Sequence, residues 1–390
     1  MRDDSHGGLT RRAFIGTTAA TVAGLSALRL GGAAGRSTDV CLATLAADGD
    51  DETIAAAVRA AALRATDFSW LANGDTVAIK PAWNSGNPYP YTTHPAGVAA
   101  MVALLKERGA GRIIVTDQAG VEHVRHTREG LSGSSRKLWA EHGLFEPARA
   151  AGAELVFFEE GSYEDHFLAE TPADSHWQHG VWLPKVLGEI DHLVYMPRVG
   201  SHILAGVTLG LKSAVGWLRD DSRMELHRDS DSFFDKIAEI SATPVIKGKL
   251  RLTLSVAHRV LTTFGPDRGY VATPETGLVI ASADLAAHDA AAVAWYLWNH
   301  GRSTPEEEKA RDPKRFPVSA INQRFVGHTW GEEAGAGTGQ LPRPELGRAS
   351  DDLAIARAAA LWGGYPEIRW QMVNADVPSS IVDRMTELAG

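Results

Sequence analysis

Short apolar runs alternate with longer alanine-rich or amphipathic stretches along most of the chain, the rhythm of strands followed by helices. Asp39–Leu45 is a strand candidate, and Asp51–Thr66 an alanine-rich helix whose opening aspartates suit the positive end of a helix dipole. Asp75–Pro81 (DTVAIKP) is a buried strand that empties into AWNSGNPYPYTTHP, a loop suited to irregular backbone. Thr93 is placed to cap a helix over Pro95–Arg108, and Arg112–Thr116 (RIIVT) is the next strand. Two such units in succession predict parallel strands joined by helical crossovers. The rhythm continues with helix Ser135–Ala151, strand Ala153–Phe158, strand His192–Pro197, helix Phe233–Ile240, strand Lys249–Ala257, strand Gly277–Ser282 and helix Asp284–His300. After Gly301 it breaks down into a Gly- and Pro-rich loop over Gly331–Gly347 and helix candidates at Ala349–Trp362 and near Ile381. The pattern predicts an α/β fold, with a mostly parallel, doubly wound, Rossmann-like sheet, helices on both faces and an extra C-terminal helical and loop segment. Residues 39–300 form the main domain on this reading, and residues 301–390 are an extension packed on it, being too short for an independent core.

Composition and charge limit the function classes. A 390-residue chain with 44% apolar and 22% charged residues reads as soluble and globular. Its formal charge of −9 argues against nucleic acid or an anionic membrane surface as partner. A single cysteine, Cys41, excludes an intrachain disulfide framework and a cysteine-ligated iron–sulfur cluster. Residues 1–35 read as a leader: Thr10-Arg11-Arg12-Ala13-Phe14-Ile15, followed by an uncharged run to Leu28, resembles a twin-arginine (Tat) export signal built on Arg11 and Arg12. The run is short and dilute in Gly, Thr and Ala, so a stable membrane anchor is not expected. The resemblance implies a periplasmic or extracellular protein with the Tat translocase as transient partner.

Asp191–Leu218 (DHLVYMPRVGSHILAGVTLGLKSAVGWL) carries the chemistry. A helix starting near Ser201 would place Ser201, Ala205, Thr208 and Lys212 on one polar stripe, with Lys212 roughly 15 Å along the axis from His202. Ligands of open parallel sheets sit outside the carboxyl ends of the strands. All five candidate strand ends offer polar groups there: Lys80, Trp83 and Asn84; Asp117 and Gln118; Arg198, Ser201 and His202; His258 and Arg259; and Asp284 with His288 and Asp289. Loops can add His94 and His227, the latter in RDDSRMELHRD, a polar run read as a solvated loop that can fold in as a lid.

Three chemistries suit this edge. An anion would be held by Arg198, Ser201, Asn84 and Arg259, with backbone N–H groups at a helix start near Ser201. Lys80, His202 and Lys212 would hold substrate or move protons. A divalent metal would draw on His94, Asp117 and His258, although no pair shows tight ligand spacing; an organic cofactor is equally open. His123 with His126 and His176 with His179 lie in polar loops and read as exposed.

VAIKP, TTHP before a helix, RIIVTD, the central H-x-x-A-G-V-T-L-G-L-K motif and GLVIASADLAAHDAAAV together resemble the DUF362 family over roughly residues 75–298. The resemblance places His202 and Lys212 on the family pattern. The chain departs from it at Gly200-Ser201-His202, where Lys-Thr-His is common, and at Ala82, where Asn commonly follows Lys-Pro. It implies a fold more than a reaction. The function expected is an exported enzyme acting on a small anionic substrate by redox or isomerase chemistry, with a non-catalytic ligand-binding or cofactor-handling protein of the cell envelope as the alternative.

Overall fold

The computed structural model describes residues 36–303, 317–374 and 377–390, so the leader with Arg11 and Arg12 lies outside the described residues. An eight-stranded sheet runs in the order Pro366–Met372, Arg36–Ala46, Thr276–Ser282, Leu250–Ala257, His192–Met196, Thr76–Pro81, Arg112–Thr116, Glu154–Val156. Five of its pairings are parallel; the two made by Thr276–Ser282 are antiparallel. The predicted mostly parallel sheet is therefore present, with one reversed strand inside it.

Strand alternation divides the core into two layers. Val77, Ile79, Val194 and Met196 pack with helices Asp51–Ala65 and Pro95–Glu107 on one face. Ala78, Leu193 and Tyr195 pack on the other, with helices Phe233–Ala242, Leu285–Gly301, Leu353–Trp362 and Ser379–Ala389. Each large aliphatic side chain in these layers contributes about 1.5–3 kcal/mol of burial. The same alternation turns Lys80 to the Ala78 face, where it lies 5.5 Å from the Trp217 ring. A charged side chain is thereby held among the apolar residues of that layer. Among the described residues no helix is long and apolar enough to cross a membrane.

Several local expectations are corrected. Ser201 starts no helix: Gly200–His202 and Gly206–Thr208 pair as an antiparallel hairpin, turned by Gly206 at φ +77°. The hairpin belongs to a second, four-stranded sheet with Val260–Leu261 and Val271–Ala272. The helix begins only at Gly210 and ends at Ser213, passing into a 3₁₀ turn over Ala214–Trp217. The 15 Å separation inferred from a continuous helix therefore does not apply. Thr93 makes no cap; its hydroxyl donates to the Met196 carbonyl at 2.6 Å and accepts the Ala82 amide. The Ser135–Ala151 helix is two, Ser135–Glu141 and Glu146–Ala150, parted at Gly143 with φ +64°. The polar run after Leu218 is helix Asp220–Arg228, acidic at its start and basic at its end as the dipole favours.

The C-terminal segment is more regular than its composition indicates. Pro366–Met372 extends the sheet in parallel beside Arg36–Ala46, and Val318–Trp330 is a helix that packs against Asp220–Arg228.

Candidate functional site

Thr76–Pro81 is followed by a crossover to Arg112–Thr116 on one side, while its other neighbour is His192–Met196. The strand order reverses at this point, and the carboxyl ends of the two strands diverge into a crevice. A cleft of about 620 Å³ opens there. Its floor carries Lys80, whose ammonium donates to Asp117 Oδ1 at 2.7 Å. Asp117 also accepts the Trp83 and Gln118 amides at 2.9 and 2.8 Å, so its carboxylate is fixed. Burial draws the Lys80 pKa down and the Asp117 charge opposes that. Gly216 seals this pair from one side. A Cβ there would sit 2.3 Å from Asp117 Oδ1 and 2.6 Å from Lys80 Nζ, so only glycine permits the approach.

Arg198 follows the central strand and is 1% exposed. Its Nε and Nη1 are buried without an acceptor. Burial lowers its pKa to about 10, against the stabilising pull of Asp267. Two buried guanidinium nitrogens without acceptors are costly, and an anion in the cleft would answer them. Asp267 is itself held by Asn84 and Asn87, whose side-chain amides donate to Oδ1 at 3.2 and 3.1 Å.

His202 lines the same cleft from the hairpin. Its Nδ1 accepts the Leu204 and Ala205 amides, both at 3.2 Å, which leaves the proton of the neutral ring on Nε2. Burial, with the charges of Lys212 and Arg198, holds its pKa well below the usual histidine value. Its neutral ring therefore offers an Nε2–H donor. His227, from helix Asp220–Arg228, has the opposite tautomer. Asn322 Nδ2 donates to the His227 carbonyl at 2.7 Å, which turns Asn322 Oδ1 toward the ring to accept from Nδ1 at 3.3 Å. Nε2 of His227 then carries the lone pair, and burial beside Lys212 takes its pKa down to about 3.

Lys212 enters from the short helix. Burial lowers its pKa to about 7, and Arg198, Arg223 and Lys80 add to the effect while Asp267 opposes it. The helix is anchored from the core: Asp289 accepts the Gly210 and Leu211 amides at 2.9 and 2.7 Å, binds His288 Nδ1 at 2.8 Å, and His288 Nε2 meets Ser255 Oγ at 3.0 Å. Arg223 closes the floor by donating to the carbonyls of Leu218, Ala119 and Gly216 and to Gln118 Oε1. An amine near neutrality, a buried cation and one imidazole of each tautomer can together bind a small anion and move a proton on it.

Lys80, Asn84, Asp117, Arg198, His202 and Lys212 thus share one cleft. Other expected members do not. Ser201 is fully buried within the hairpin and provides no helix start for an anion. Arg259 is exposed away from the cleft, its backbone amide donating to the Tyr89 hydroxyl. The metal trio is not assembled. His94 and His258 lie 6.0 Å apart between ring centroids and both pack on Tyr89, while Asp117 is committed to Lys80 and two amides. Among the described residues no three His, Cys, Asp or Glu side chains are grouped as metal ligands. Asp284 is misplaced because its strand runs antiparallel, which carries it to the opposite edge of the sheet. Ser213, with a buried unpartnered hydroxyl, and Asp267, Ile321 and Phe325 line the cleft without having been anticipated. Ser213 follows Lys212 directly, and that adjacency is the one signal that could have found it.

No curated protein matches the chain. Among solved structures, it is similar to the lactate racemase apoprotein from Thermoanaerobacterium thermosaccharolyticum, at 15% identity and TM-score 0.38 over 62% of this chain and 54% of that one. A protein from Thermotoga maritima is similar at 11% identity and TM-score 0.34, over 60% of this chain and 56% of that one. The chain spans little more than half the length of either structure. The family profile described as "Domain of unknown function (DUF362)" matches residues 77–294, which include every cleft residue named above except Ile321, Asn322 and Phe325. That match covers more than half of the 390 residues, and the chain belongs to the DUF362 family.

Proposed function

We propose that this protein is an enzyme that binds a small organic anion at Arg198 and transfers a proton on the bound molecule through Lys212, an isomerase-type reaction. The observation that carries the reading is the buried Arg198 guanidinium, unpaired on Nε and Nη1, in the same cleft as a lysine with a pKa near 7. Neutral Lys212 takes a proton from the carbon beside the substrate carboxylate, and the electron pair delocalises into that carboxylate. Arg198 and the Nε2–H of His202 stabilise the charge that develops. The planar intermediate turns in the cleft and the Lys212 ammonium returns the proton to its other face, which inverts the carbon and needs no oxidant. Lys80 serves the floor through Asp117.

The test has two arms. Small carboxylates and inorganic phosphate are screened for protection against thermal unfolding, with Arg198→Met and Lys212→Ala as comparators. Protection that survives Arg198→Met counts against the reading. Exchange of the substrate's carbon-bound hydrogen with deuterated solvent then separates an enzyme from a non-catalytic binding or cofactor-handling protein. Tight binding with no exchange favours the second. The cleft volume supports keeping that alternative, because about 620 Å³ leaves room for an organic cofactor beside a small acid.

Export belongs to the same proposal. The Thr10–Ile15 motif supports delivery by the Tat translocase to the periplasm or the extracellular space. Replacing Arg11 and Arg12 together by lysine should hold the precursor in the cytoplasm, and normal export of that variant would remove this part.

A further inference from the structure

We infer that the substrate is a monocarboxylate with an extended apolar substituent, and that helix Val318–Trp330, from beyond the segment shared with the family, forms the wall that recognises it. The inference rests on the anion reading of Arg198 and deepens it. Besides its charged groups, the cleft is lined by Ile203, Leu204, Val215, Phe264, Ile321 and Phe325, the last two from this helix. A polar anion alone would leave this wall hydrated. A ligand with a charged head and an apolar tail matches both sides.

Two features make the wall preformed. Ile321 and Phe325 are four residues apart and so share one helix face, and both are half-exposed, while Asn322 and Val326 beside them are fully buried. The helix that presents them is tied to Asp220–Arg228 at both ends. Asn322 holds His227 through ring and backbone, and the Trp330 indole donates to Asp220 Oδ2 at 3.0 Å. Arg125 binds Asp220 at 2.8 Å and also donates to the Thr329 carbonyl. The second feature is Phe264, held at φ +61°, a conformation an aromatic residue rarely adopts. It precedes Gly265, whose amide donates to the Thr263 and Arg268 carbonyls and whose carbonyl accepts the Ile203 amide. A Cβ at Gly265 would lie 1.8 Å from the Ser201 carbonyl oxygen, so this turn is locked against the hairpin and keeps Phe264 at the cleft.

The experiment is calorimetric titration of the full chain with straight-chain monocarboxylates from acetate to octanoate, and with phenylacetate. The expected result is a dissociation constant that tightens about three- to fourfold per methylene until the wall is covered. Phe325→Ala and Ile321→Ala should flatten that slope, weakening octanoate far more than acetate. Phe325→Leu, which keeps an apolar side chain, should retain most of the slope and controls for folding. A flat series in the unsubstituted protein, with acetate still bound and lost in Arg198→Met, overturns the inference and leaves the anion site standing. A slope that persists in Phe325→Ala and Ile321→Ala places the tail elsewhere and overturns the role of the helix. Absence of binding by every acid removes the anion reading and this inference with it.

Discussion

Two clusters of buried charge lie on the same face of the sheet and differ in one respect. Around helix Phe233–Ala242 the fully buried charges Lys236, Glu225 and Glu239 are each answered. Lys236 meets Glu225 at 3.2 Å and Asp229 at 3.1 Å, and Glu225 also accepts the Gln178 and His179 amides. Glu239 accepts from Arg357, from Ser175 Oγ, from the His176 amide and from the His176 ring. In the cleft, Lys80 is answered by Asp117 and Arg223 by carbonyls, but Arg198 keeps Nε and Nη1 unpaired and Lys212 is surrounded mainly by cations. A closed set of partners marks charge that holds the fold. An open set is what the anion reading of Arg198 requires.

The sharpest way to break this contrast is Glu239→Ala. Removing an acceptor that serves Arg357, Ser175 and His176 at a fully buried position should lower unfolding stability by about 3–5 kcal/mol, read from urea midpoints, with ligand protection retained in what stays folded. A loss under about 1 kcal/mol would show that the closed cluster is not structural. Gly216→Ala is next. Forcing a methyl against Lys80 and Asp117 should cost about 1–3 kcal/mol and abolish ligand protection, because the floor pair must shift. Arg198→Met inverts the pattern: removing a buried, unpaired cation should leave stability within about 1 kcal/mol of the unsubstituted protein or raise it, while eliminating ligand protection. Substantial destabilisation would instead make Arg198 part of the framework.

The smallest effect is in pH dependence. The folded Lys212 has a pKa near 7 and the unfolded lysine a pKa near 10.5, so between these values the unfolded chain binds more protons. This group's contribution therefore makes stability rise with pH from about 7 to about 10.5, and Lys212→Met should flatten that part of the urea-midpoint profile. Turnover that uses neutral Lys212 should rise through the same pKa of about 7 and level off above it. A rate that falls across that interval would assign the proton acceptor to another group.

Much of this was legible in the residues. Arg112–Thr116 matches its strand to the residue, and the counting of strand ends brought Lys80, Asp117, Arg198 and His202 to one edge. The hairpin was misread because its strands have three residues each, too few for a period of two to stand out. The four-, three- and four-residue spacing of Ser201, Ala205, Thr208 and Lys212 imitates a helical stripe, and only Gly206 hints at the turn. Helix Val318–Trp330 escaped because its apolar face is short and its flanks are rich in glycine and proline. Strand Pro366–Met372 does alternate, Ile368, Trp370 and Met372 against Glu367, Arg369 and Gln371, but lies where the βα rhythm had ended. The histidine tautomers could not be read at all, since they depend on the Leu204 and Ala205 amides and on an asparagine 95 residues away.

The chain of contacts from Ser255 through His288 and Asp289 to the Gly210 and Leu211 amides ties the start of the lysine-bearing helix to a central strand. Those two amides should therefore exchange their hydrogens with solvent as slowly as the sheet does, on the timescale of global unfolding and not of loop opening. Lys212 is then held in position from inside the fold. Substitutions in the apolar lining at Ile321 and Phe325 can therefore reshape the cleft without moving Lys212, whose support lies inside the fold.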